Sequence, residues 1–244
     1  MKPVRLLRLL VLGACSILPW LAHAQYNPYS VPIDSRSQFY LGASVGSSLP
    51  GDYSGRLSDW LSGAYNATTT LAPGDYIATS TSQDRTAFGG RLFGGLWVTP
   101  NFGLEAGYTG LGHIHWSARS LDTTGSFDVT DSGSVRPHAW YEAVLIATNR
   151  NGLRWFGKVG AYQASTTLEV SSLDNLSGAS FGVSESIRNS GTLVGLGVST
   201  PLGGHAALRM EAEDYLGVGR SDTPDIPPWH GNIVLLSVGY VQVF

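Results

Sequence analysis

Residues 92–112 read LFGGLWVTPNFGLEAGYTGLG, and this stretch decides the fold. Leu104, Ala106 and Tyr108 alternate with Glu105, Gly107 and Thr109, the period of a strand with one apolar and one polar face. Thr99-Pro100-Asn101 interrupts two such runs, so the stretch predicts a tight hairpin. Glu105 is the anomaly: a carboxylate mid-strand needs a partner or water.

Outward from that hairpin the same pattern repeats. Strands are predicted over 38–46, 85–98, 102–118, 134–148, 152–170, 188–200, 205–216 and 231–244. The links at 99–101, 149–151 and 201–204 are short. Those at 47–84, 119–133, 171–187 and 217–230 are long and rich in Ser, Thr, Asp, Gly and Pro. Short and long links alternate, as in an up-and-down barrel.

Composition agrees. The 244 residues include 31 glycines, 14% charged and 11% aromatic residues, too few charges for an ordinary soluble surface. The expected fold class is all-β: an eight-stranded antiparallel up-and-down transmembrane β-barrel with long extracellular loops and short periplasmic turns. An open sheet in lipid would strand backbone N–H and C=O groups, so the last strand should close on the first.

The N-terminus supplies an export signal. Lys2, Arg5 and Arg8 precede an apolar run that ends in Ala22-His23-Ala24, a secretory cleavage pattern. The expected organisation is a signal peptide over 1–24, a periplasmic segment over 25–37 and the barrel over 38–244. Leu12-Gly13-Ala14-Cys15 also reads as a lipobox, with Cys15 the acylated residue. Without residues 1–24 the chain carries twelve basic and eighteen acidic residues, a net charge of −6 that argues against a nucleic-acid partner.

In the first long loop, Leu57, Trp60, Leu61, Ala64 and Tyr65 have helical spacing. A short amphipathic helix is expected there, with Ser54 as N-cap, lying on the barrel mouth or the outer leaflet.

These motifs resemble the OmpA-type outer-membrane barrel family. FGGLWVTPNFGLEAGYTGLG is similar to its second hairpin, LRWFGKVGAY (153–162) to its fifth strand, GVSTPLGGHAALRMEAE (197–213) to its sixth and seventh, and LLSVGYVQVF to its last. The resemblance implies that Glu105 faces Arg209 inside the barrel as a charge pair or gate. The parity of Leu208, Met210 and Ala212 against Arg209, Glu211 and Glu213 puts Arg209 on the same inward face independently. Arg91, Glu142, Lys158 and Glu211 are read as the supporting lumenal network. Val144 and Ser199 stand where the family has a lumenal Lys and Glu, and Gln242 where its terminal signature has an aromatic. Arg209→Ala is expected to cost more than Lys158→Ala. The chain ends at Phe244 with its last strand, so the family's peptidoglycan-binding domain is not expected.

Other motifs carry less. Gly42-Ala43-Ser44-Val45-Gly46 matches G-x-S-x-G but lies in a strand, where no nucleophile elbow can form. His113-x-His115 has metal-ligand spacing without an identifiable third ligand. Trp97, Tyr108, Trp116, Trp140 and Trp155 read as interface girdle residues. The expected function is a non-enzymatic outer-membrane protein for envelope integrity, with low-conductance gated ion passage through a porin-like lumen. A surface adhesin or receptor acting through its loops is the alternative, and a rim lipid A deacylase using His113, His138 or His230 comes third. Expected partners are outer-membrane lipids and lipopolysaccharide, the barrel assembly machinery and an extracellular ligand at the loops. No cofactor or metal is expected.

Overall fold

The computed structural model describes residues 38–70, 74–220 and 229–244. The expected signal peptide, the segment 25–37 and Cys15 lie outside them.

Ten strands and one helix follow in the order β1 (Gln38–Pro50), α1 (Ser54–Thr68), β2 (Ile77–Gln83), β3 (Ala87–Thr99), β4 (Phe102–Gly110), β5 (Ile114–Asp122), β6 (Asp128–Arg150), β7 (Leu153–Asp174), β8 (Ser180–Gly203), β9 (Ala206–Arg220) and β10 (Trp229–Val243). Eight of the strands form a closed antiparallel ring, β1-β3-β4-β6-β7-β8-β9-β10. β10 returns to β1 with Val45 opposite Val238, so every strand of the ring has two neighbours. This is the eight-stranded up-and-down barrel expected from the sequence.

Its turn end is built from local chemistry. Asn151 and Gly152 adopt φ of 52° and 79°, the left-handed pair that a two-residue hairpin demands. At this end Phe39 and Phe244 lie with ring centroids 6.1 Å apart. Above them an outward belt of Leu41, Val45, Leu92, Leu104, Ile146, Val159, Leu196 and Val238 stays exposed. It ends at Tyr108 and Trp140, whose rings are 4.9 Å apart.

The other end departs from expectation. The stretches 119–133 and 171–187, read as loops, are mostly strand: β6 and β7 pair continuously from Val129 opposite Asp174 to Arg150 opposite Leu153. In 171–186 both faces of the sheet are open to solvent, and in 119–133 the covered inner face is carried largely by Ser120, Asp122 and Asp131, so the apolar alternation that marks a strand disappears while backbone pairing continues. The expected strand 102–118 is two strands. Gly112, at φ +90°, breaks it, and a Cβ there would lie 2.6 Å from Ala87 Cβ. Beyond this break β5 leaves β3 and pairs with β2 and the upper part of β6. Pro137, which has no N–H to donate, sits in β6 between its pairings to β4 and β5. The result is a raised sheet standing above the barrel.

α1 covers the mouth on the inner side of that sheet. Leu57 and Leu61 are buried in a cluster with Tyr53, Leu111, Ile114, Trp116, Val135, Leu168 and Trp229. Tyr65 donates to both oxygens of Asp131, and Ser58 donates to the carbonyl of Thr79. The cap differs from expectation: Tyr53 holds the N-cap position, and Asp52 accepts from the backbone N–H and hydroxyl of Ser54. A carboxylate accepts a helix-end N–H better than a hydroxyl, and Asp52 stands two residues before the orphan donor.

Candidate functional site in the lumen

Inside the ring, beneath α1, lies a cluster of six charged side chains. Glu105 Oε2 accepts from Arg209 Nη1 at 2.6 Å and from Tyr40 OH at 2.8 Å. Its Oε1 accepts from Lys158 Nζ at 2.5 Å and Tyr141 OH at 2.8 Å. Lys158 Nζ also lies 3.0 Å from Glu211 Oε2 and 2.5 Å from Glu213 Oε1. Arg91 grips Glu211 with both terminal nitrogens and also reaches Glu213. Arg209 Nε ion-pairs with Glu211.

Three cations therefore meet three carboxylates, and all six side chains are buried. Aromatic faces pad the cations: Arg209 lies 4.3 Å from the Phe156 centroid and Arg91 lies 4.4 Å from that of Phe93. Room for such large groups comes from cross-strand glycines. Gly95 stands opposite Glu105, and a Cβ on it would lie 2.3 Å from the Tyr40 ring. Gly197 stands opposite Glu211, where a Cβ would lie 2.2 Å from Phe156.

Of the six residues selected from the sequence, Glu105, Arg209, Arg91, Lys158 and Glu211 meet here. Glu142 does not. It faces outward and is exposed, because Tyr141, Ala143, Leu145 and Ala147 are the inward residues of β6. The same correction applies to Val144, which shares Glu142's outward parity. Both faces of β6 carry apolar residues, so alternation alone cannot orient it. The narrow lumen takes the small Ala143 beside Glu105, while Glu142 stands one outward step below Trp140, within reach of the end of the belt. Glu142→Leu is expected to raise barrel stability in lipid vesicles by about 1 kcal/mol, since outward carboxylates in such belts cost less than Arg or Lys but still cost. A lowered urea midpoint would count against this orientation.

Parity put Glu213 on the inward face of β9 with Arg209 and Glu211, but sequence reasoning left it out of the charged network. Sequence reasoning also missed the tyrosines. Tyr40 and Tyr141 saturate Glu105, and Tyr215 exchanges a 2.8 Å hydrogen bond with Thr109. Their patterns look like those of any buried aromatic, and only the closed ring shows what their hydroxyls meet.

Two expected girdle residues are interior. Trp97 is buried at the turn end under the Arg154 guanidinium at 4.2 Å, and Trp116 is buried against Gly133 beneath the raised sheet. Tyr108, Trp140 and Trp155 are exposed.

The cluster is electrically balanced and sealed. The three carboxylates are close enough for one ion, but the oxygens that would coordinate it already accept from Lys158 and the arginines. On the outside, His113 and His115 have ring centroids 4.0 Å apart, with Arg136 Nε 3.1 Å from His113 Nε2 and Asp84 3.1 Å from His115 Nδ1. Partial desolvation, followed by the neighbouring imidazole of His115 and the guanidinium of Arg136, lowers the His113 pKa. His138 lies beside Tyr108 on this face, whereas His230 is on β10, across the ring from β6, so the three histidines do not converge. Ser44, from the G-x-S-x-G match, is buried within the unbroken strand β1.

No protein-family model matches the chain, and no curated protein sequence does. Among solved structures, Ail, the attachment invasion locus protein of Yersinia pestis, aligns at a TM-score of 0.43 and 10% identity over 85% of this chain and 98% of that one. The outer membrane protein OprG from Pseudomonas aeruginosa aligns at 0.46 and 9% identity over 85% and 96%. Neisserial surface protein A aligns at 0.41 and 12% over 84% and 97%. These are proteins the chain is similar to, and at such identities none of their activities transfers to it.

Proposed function

We propose that the protein is an outer-membrane barrel, exported by its N-terminal signal, whose lumen is sealed and which contributes to the integrity of the envelope while presenting its raised sheet outside the cell. The observation that carries this reading is the double closure of the lumen. The charged cluster fills the barrel at one level, and α1 with Leu57, Leu61 and Tyr53 closes it above with apolar side chains. The outward belt of aliphatic side chains, ending in aromatics, supports membrane insertion with the turn end toward the periplasm. An eight-stranded ring has room for little besides its own side chains, so the two seals leave no water path.

A second reading is favoured by the raised sheet. Leu173, Leu176, Phe181 and Val183 are exposed near the tip of the β7–β8 hairpin, where neither barrel nor belt explains them. They suit the recognition of an external protein or cell surface.

Planar-bilayer recording separates a sealed barrel from a pore. The refolded mature protein and its Glu105→Ala variant should both be silent, because α1 still closes the mouth when the cluster is broken. Discrete current steps in the wild type would overturn the sealed lumen, and steps in Glu105→Ala alone would make the cluster the sole barrier.

A further inference from the structure

His113 and His115 flank the buried Ile114 at the foot of the raised sheet, and neither the closed lumen nor the apolar belt needs them. Gly112, at φ +90°, leads the chain from β4 into β5, and just beyond it the two imidazoles stack on the outer face with centroids 4.0 Å apart. Asp84, in the connection between β2 and β3, is built against His115. Its backbone N–H donates to the His115 carbonyl at 2.9 Å, and its Oδ2 accepts from the His115 backbone N–H and from Nδ1, each at 3.1 Å. A carboxylate only accepts, so Nδ1 carries the imidazole proton and Nε2 keeps its lone pair. A carboxylate behind a histidine in this way is the arrangement that orients imidazole toward a metal.

His113 already directs a lone pair at a cation. Its Nε2 accepts from Arg136 Nε at 3.1 Å, and a guanidinium only donates. Arg136 is also held from Nη2 by Glu169 at 3.3 Å, an anchor it keeps when Nε is displaced. The charged side chains acting on His113 are Arg136, Glu169 and Asp84, two carboxylates against one guanidinium, so the surroundings accept a further cation. The lowered pKa of His113 keeps its ring neutral at pH 7, and no proton has to leave before it ligates.

We infer that His113 and His115 bind one divalent transition-metal ion, copper or zinc, through their Nε2 atoms, with Asp84 orienting His115 and water completing the coordination. Bonds of about 2.0–2.1 Å to each nitrogen bridge up to about 4 Å, so one ion reaches both rings after small rotations of the side chains. Water has access, since the His115 and Asp84 side chains are 60% and 50% exposed. Imidazole nitrogens favour copper and zinc, whereas calcium and magnesium take oxygen ligands. The buried trio Glu105, Glu211 and Glu213 does not compete, because Lys158 and the arginines occupy its oxygens. Through Asp84, a bound ion ties the β2–β3 connection to the start of β5.

The test titrates the refolded mature protein in detergent micelles with Cu²⁺ or Zn²⁺ against a chelating indicator, with Ca²⁺ as the control ion. One ion should bind per chain, copper more tightly than zinc, and calcium should not displace either. Electron paramagnetic resonance of the copper form should show coupling to two imidazole nitrogens. His113→Ala and His115→Ala should each abolish the two-nitrogen spectrum, and Asp84→Ala should weaken binding at least about 10-fold, the usual effect of removing a carboxylate behind a ligating histidine. Arg136→Gln, which removes the competing cation, should strengthen binding, and His138→Ala should leave it unchanged. All five positions lie outside the lumen, so unboiled samples of every variant should keep the gel mobility of the folded barrel. Copper bound equally well by a folded His113→Ala, His115→Ala double variant is adventitious and would overturn the site. A wild-type spectrum with fewer than two imidazole nitrogens would do the same, as would unchanged affinity in Asp84→Ala.

Discussion

Lys158→Met lowers the stability of the refolded barrel by about 3–5 kcal/mol, read as the urea midpoint in lipid vesicles, and costs more than Arg209→Met. Methionine keeps much of the lysine stem, so the lost packing is small. What disappears is the one ammonium shared by Glu105, Glu211 and Glu213, which leaves three buried carboxylates facing two guanidinium groups. Arg209 meets two carboxylates rather than three. It also borders a cavity of about 190 Å³ at the turn end, where water can replace part of what it gives. This reverses the order expected from the sequence. Adding Glu213→Gln to Lys158→Met should restore part of the loss, because the double variant is neutral again. A Lys158→Met midpoint at or above that of Arg209→Met would show that the ammonium is not the centre of the cluster.

Leu57→Asp combined with Leu61→Asp releases α1 from the mouth without unfolding the ring. Burial of a leucine side chain contributes about 1.5–3 kcal/mol, so the pair accounts for about 3–6 kcal/mol of docking, and two carboxylates in the apolar cluster add to the penalty. Arg56 lies on the exposed side of α1. Trypsin should cut after it at least 100-fold faster in the double variant than in the wild type, since cleavage follows the population of the open form. Boiled and unboiled samples should still migrate differently on a gel, as expected for an intact barrel. Cleavage at wild-type speed would mean that the hydrogen bonds from Ser58 and Tyr65 to the raised sheet hold the helix by themselves.

Much of this fold was legible in the chain. Tight turns at 99–101, 149–151 and 201–204 and the alternation of strands such as Leu104-Glu105-Ala106-Gly107-Tyr108 set the hairpins, and the need to pair every backbone group in lipid required a closed ring. Helical spacing from Leu57 to Tyr65 marked α1. Inward parity on β9 placed Arg209 and Glu211 together, because one face of that strand is charged and the other apolar.

Tertiary structure decided the rest. On β6 both faces are apolar, so which of Tyr141 and Glu142 looks inward depends on what the neighbouring strands have already placed in the lumen, and periodicity carries no such information. The raised sheet was hidden for the opposite reason: polar residues such as Ser120, Asp122 and Asp131 on its covered face, and solvent on both faces of 171–186, remove the apolar alternation, while strand pairing depends on backbone groups that every residue has. The sharing of Lys158 among three carboxylates arises only when β4, β7 and β9 are bent around one axis, since those residues are far apart along the chain and meet solely because the sheet closes.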